Sequence, residues 1–74
     1  MAYDFRKLRG KIVEVFGNQY LFAEKMGWSE RTCSLKLNGK IYWKQDEITR
    51  ACKLLDICNS ELQTYFFTII VQYN

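Results

Sequence analysis

The stretch Gln19 to Lys40, QYLFAEKMGWSERTCSLKLNGK, reads as two short helices joined by a tight turn. Ala23 stands four residues before Gly27, which puts a side chain without bulk where a crossing helix approaches and a glycine where the sharp turn needs a positive φ. Trp28 follows directly and is placed to seal the corner, and Asn38-Gly39 closes the second helix. This spacing is that of a helix-turn-helix, whose second helix is the one that enters the major groove of DNA. DNA binding is therefore the leading expectation.

Outward from this motif the pattern stays helical. Asp4 is a good N-cap for a first helix over about 4–16, with Tyr3 and Leu8 spaced as a hydrophobic staple and Phe5, Leu8, Ile12, Val15 and Phe16 on one face until Gly17. Asn18 caps a second helix over 19–26, with Phe22, Ala23 and Met26 inward, and Ser29 caps a third over 30–38. Ile48, Ala51, Cys52 and Leu55 mark a fourth helix over about 44–55, with Asp46 and Glu47 near the positive end of its dipole. Ser60 and Gln63 have capping-box spacing for a fifth over 61–67. The tail 68–74 contains the β-branched run Thr68-Ile69-Ile70-Val71, which an exposed edge would turn into an aggregation hazard. It is expected either to tuck along the first helix as a last core segment or to pair as a short strand across a homodimer.

Seventy-four residues make one domain over 1–74, and a chain of this size buries only about 60% of its surface on folding. The apolar fraction of 49%, the lack of proline and only four glycines suit an all-α core rather than a disordered chain. Cys33, Cys52 and Cys58 are odd in number and without Cys-x-x-Cys spacing, and with no histidine the usual zinc sets are missing, so they read as small buried hydrophobes in a reducing compartment. No cofactor and no metal is expected. Net charge is +3, but Met1 to Lys44 carries +5 and Gln45 to Asn74 carries −2, so one part of the chain is shaped for an anion. Met1 is followed at once by polar and basic residues, and no apolar run approaches the roughly 20 residues of a membrane span, so a cytoplasmic location without membrane contact is expected.

The segments FAEKMGWSERTCSLKLNGK, EITRACKLLDI and YFF together resemble the small lambda-repressor-like proteins of the Cro and repressor type, found in temperate phages and mobile elements of bacteria. The resemblance spans roughly Tyr3 to Val71 and is most specific where an Ala-x-x-x-Gly turn is followed by Leu-Asn-Gly-Lys. It implies a compact bundle of four or five helices that inserts its third helix into an operator on double-stranded DNA, usually as a homodimer. It also implies control of transcription, by repression, in a phage or prophage setting. The chain departs from the commoner family pattern at Lys36, where an apolar residue is usual, and at Leu37, where a polar one is usual. That departure leaves open the rotation of the third helix, and with it whether Ser34, Leu35 or both face the groove.

Independently of the resemblance, Glu30 and Arg31 in the first turn of the third helix, with Ser34 one turn on, are side chains able to read base edges. Arg31 suits a guanine. Glu30 either accepts from cytosine N4, pairs with Arg31, or simply favours the helix N-terminus. Backbone contacts are expected from Asn18 and Gln19 at the start of the second helix, from Ser29, and from Lys36, Asn38, Lys40, Tyr42 and Lys44 at or beyond the end of the third. Ser29 has capping as its alternative role, Gly39-Lys40 an ordinary helix end, and Trp43 reads as a lid on the core. A half-site held by three or four phosphates binds weakly, so a dimer on an approximate palindrome is expected. The chain shows no catalytic motif or small-molecule site, and an enzyme is not expected. The rival class is a protein-interaction module or antirepressor that keeps the helix-turn-helix scaffold without specific DNA binding.

Overall fold

A computed structural model describes residues 3–70. Its elements are α1 (Arg6–Phe16), α2 (Gln19–Met26), α3 (Glu30–Leu37), α4 (Gln45–Leu55), a 3-10 turn (Asn59–Glu61) and α5 (Leu62–Phe66). The fold is all-α. Leu8 and Ile12 of α1, Phe22, Ala23 and Met26 of α2, Cys33 and Leu37 of α3 and Ala51 and Leu55 of α4 meet in one buried cluster, joined by Phe5, Ile57 and Phe66. Ala23 is fully enclosed, as a residue at a helix crossing must be. Val15, expected on the inner face of α1, is exposed: the burial stripe of that helix runs through Phe5, Leu8 and Ile12, and Val15 lies off it.

Three helices end in the same way. After α2, Gly27 takes φ 77°, with Trp28 N–H donating to Ala23 O and Gly27 N–H to Glu24 O. After α3, Gly39 takes φ 75°, with Lys40 N–H donating to Leu35 O and Gly39 N–H to Lys36 O. These are the paired bonds of a Schellman motif, which satisfy carbonyls a helix end would leave bare. After α4 the left-handed position falls on Asp56 (φ 55°), with Ile57 N–H donating to Cys52 O.

The caps follow the sequence in part. Asn18 accepts from Leu21 N–H at 2.9 Å and Ser29 from Thr32 N–H at 3.1 Å. Asp4 accepts from Arg6 N–H at 2.9 Å, one position earlier than an N-cap, and its carboxylate also holds the Arg6 guanidinium at 2.8 Å. The capping box expected from Ser60 and Gln63 lies two residues earlier. Glu61 accepts from Cys58 N–H at 3.3 Å and from Cys58 Sγ at 3.1 Å, because the chain turns through a 3-10 segment before α5 begins. Gln63 instead donates to Phe67 O at the far end of α5.

Aromatic rings connect the layers. Phe22 meets Phe16 at 5.7 Å and Trp28 at 6.3 Å, and Trp43 meets both Trp28 and Phe66 at 5.2 Å in edge-to-face geometry. Trp43 is thus a lid on the core, with its indole N–H donated to Lys36 O. Beyond α5 the chain returns beside its own start: Asp4 N–H donates to Thr68 O at 2.7 Å, and Tyr3 and Ile69 form a single antiparallel bridge. Ile69 and Ile70 stay about half exposed, which is less burial than a last core segment implies at these two positions. Residues 71–74 of the expected dimer strand lie outside the described residues.

Candidate recognition surface

The third helix has a distinct inner and outer side. Cys33, Lys36 and Leu37 point inward and are buried; Glu30 and Arg31 are exposed, and Ser34 and Leu35 half-buried. Packing thus turns Cys33, Lys36 and Leu37 inward and leaves Glu30 and Arg31 exposed, while Ser34 and Leu35 are alike half-buried, and burial does not choose between them. Ser29 holds the first turn by its bond to Thr32 N–H and a second bond to the Thr32 hydroxyl, so its capping role is occupied. Glu30 forms no ion pair with Arg31 among the described residues, and both charges stand free at the N-terminal turn.

Lys36 does not belong among the backbone contacts. Its side chain is buried, its ammonium donates to Glu47 Oε1 at 2.9 Å and to Tyr42 O at 3.0 Å, and it lies 5.2 Å from the centre of the Trp28 ring. An ammonium so enclosed cannot leave to meet a phosphate without stranding a buried carboxylate. Burial raises the Glu47 pKa, but the bonds from Lys44 N–H and from Lys36 outweigh it and hold the carboxyl below its ordinary value. The apolar residue that the Cro-type pattern places here is replaced by a neutralised ion pair, and Leu37 adds apolar burial beside it.

Asn38 is also engaged. Arg9 of α1 reaches the end of α3, where its guanidinium donates to Leu37 O at 3.0 Å and to the Asn38 side-chain oxygen, while Asn38 Nδ2 faces Ser34 Oγ at 3.4 Å. A cation at a helix C-terminus complements the dipole, so Arg9 fixes the end of α3. The remaining candidates fall into two groups. Asn18 caps α2 beside a half-buried Gln19; Lys40, Tyr42 and Lys44 sit exposed on the loop from α3 to α4, with Tyr42 87% exposed.

Sequence reasoning missed Arg9, which carries no local signal because its partner is 28 residues away. It also missed an apolar cavity of about 180 Å³ beside the α3 to α4 loop, lined among others by Tyr3, Ile41, Tyr42, Trp43 and Phe67. The burial of Lys36 did carry a signal: it lies three residues after Cys33 on the inward face, where a charge implies an internal partner. Burial, and then the nearby Glu30 charge, push the Cys33 thiol up to about 11, which leaves it an unreactive core group. Among the described residues no cluster of three or more His, Cys, Asp or Glu side chains is arranged for a metal ion, and no helix is long and apolar enough to cross a membrane.

Comparison with known proteins bears on what this surface does. The chain is similar to the modulator of repression (MOR) of the temperate bacteriophage TP901-1 from Lactococcus lactis, whose solution structure superposes with a TM-score of 0.80 at 50% sequence identity, covering 97% of each chain. No curated protein matches. A family model described as "Protein of unknown function (DUF739)" matches residues 1–69, and the chain belongs to that family.

Proposed function

We propose that this chain is a phage regulatory protein that modulates repression by binding a repressor protein, with the helix-turn-helix scaffold serving as a platform for protein contact. The observation that carries the reading is the 50% identity over 97% of both chains to a modulator of repression. It favours the protein-interaction class over the Cro and repressor type that the sequence resembles. The charge arrangement supports it. With Lys36 neutralised inside, the exposed cations on α3 and the loop after it are Arg31, Lys40 and Lys44. Each phosphate contact contributes a salt-dependent increment with a slope of about −0.9, so three cations on one subunit give weak, salt-sensitive binding.

A second reading, a homodimer that reads an operator by itself, is favoured by one feature: Arg31 stands exposed in the first turn of α3, where a recognition helix meets base edges. One pair of experiments separates the two. The purified protein is titrated calorimetrically into the repressor encoded by the same phage, and in parallel is used to select duplexes from a random pool at near-physiological salt. A defined complex with the repressor, and no palindrome retained by the chain alone, is the expected result. Enrichment of a palindrome by the chain alone, lost in Arg31→Ala, would overturn the proposal in favour of operator reading.

A further inference from the structure

The apolar cavity beside the α3 to α4 loop has no role in either reading of α3. Its rim is formed by Tyr3, Ile41, Tyr42 and Phe67, all exposed, and the rings of Trp43 and buried Phe66 also line it. A dry cavity of roughly 150 Å³ is known to hold one benzene ring, so the space of about 180 Å³ accommodates one large apolar side chain. Exposed apolar residues gathered at a cavity mark an interaction site, and Tyr42, 87% exposed, presents the amphipathic ring that interfaces favour as an anchor. Lys40 and Lys44 flank the lining residues Ile41 to Trp43, are exposed, and form no ion pair among the described residues. Asp46 is the exposed carboxylate next in sequence and leaves the loop net positive.

We infer that this cavity and its two lysines are the docking site for the partner repressor, which inserts one leucine-sized or aromatic side chain flanked by carboxylates. The inference rests on the proposed function and adds to it the surface and the chemistry of the partner segment. Charge selects this occupant over the others. A second copy meeting the patch across a two-fold axis would set Lys40 and Lys44 against the same lysines. Phosphates of DNA would neutralise the lysines but leave the apolar cavity unfilled.

The test titrates the full-length chain and three variants, Ile41→Asp, Tyr42→Ala and Lys40→Glu/Lys44→Glu, into the repressor of the same phage, with thermal melts to confirm folding. Each folded variant is expected to bind at least about tenfold more weakly. The wild-type affinity should fall with added salt, and that dependence should be largely lost in the lysine variant. Wild-type affinity retained by Tyr42→Ala and by the lysine variant would overturn the docking site while the proposed function stood. Self-association that disappears in Tyr42→Ala, without change in repressor binding, would overturn it in favour of a second copy. A wild-type chain that ignores the repressor but retains duplex DNA through Lys40 and Lys44 would remove both the proposed function and this site.

Discussion

Lys36 and Glu47 show how one residue pair alters both the stability and the function expected of a scaffold. Two buried charges at 2.9 Å bring little net stability over an apolar pair, because desolvation offsets their attraction. Removing one partner is different. Lys36→Ala or Glu47→Ala should cost about 3–5 kcal/mol in urea unfolding, whereas a Lys36→Met/Glu47→Leu double variant should restore most of the loss. The pair also has a pH signature. The folded Glu47 pKa lies below its unfolded value, so its contribution is complete above the ordinary carboxylate pKa and is lost as pH falls through the folded value. Acid titration of unfolding should therefore show a descending limb below about pH 4.5 that is shallower in the rescued double variant, where Asp4 and Glu61, also held below their ordinary values, still contribute. Lys36 is also where sequence reading was weakest. A lysine on a short helix beside Leu-Asn-Gly-Lys looks like a phosphate ligand, although its place three residues after inward Cys33 already calls for an internal partner, which is Glu47, 11 residues on. The exposure of Glu30 and Arg31, by contrast, is legible in the sequence because the turn itself places them outward.

At the level of elements, punctuation was the clearest information in the chain. Gly27 and Gly39 occupy the left-handed positions that end α2 and α3, and Asn18 and Ser29 make the side-chain caps that begin them. Such signals are local, which is why they could be read without a structure. What stayed hidden depended on distance in sequence: the Arg9 clasp on α3 and the bridge from Tyr3 to Ile69. Two outcomes follow for the helix ends. Ser29→Ala should destabilise by about 1 kcal/mol by releasing the Thr32 N–H, read from the denaturant midpoint. Asp56→Gly should stabilise by roughly 0.5–1 kcal/mol, since the left-handed φ of 55° strains an L side chain and glycine adopts it freely. An unchanged or lowered midpoint in Asp56→Gly would mean that the aspartate stabilises this end in another way.

For the whole molecule, one buried cluster draws on all five helices, and no second core competes with it among the described residues. Unfolding should therefore be a single cooperative transition. Far-ultraviolet circular dichroism and the fluorescence of Trp28 and Trp43, which sit 5.2 Å apart and pack against this core, should give coincident curves. Separate transitions would show that the helix-turn-helix pair melts independently of α4 and α5. Total stability at this size is small, roughly 4–11 kcal/mol at the usual value per residue. The buried ion pair then has a consequence for descent. A single substitution at position 36 or 47 forfeits much of the reserve that keeps the chain folded, while the joint change to apolar partners is nearly neutral. Lineages can cross between the charged and the apolar solution only by rare paired change or after gaining stability elsewhere. Among relatives, positions 36 and 47 are expected to be exchanged as a unit, leaving mixed pairs scarce.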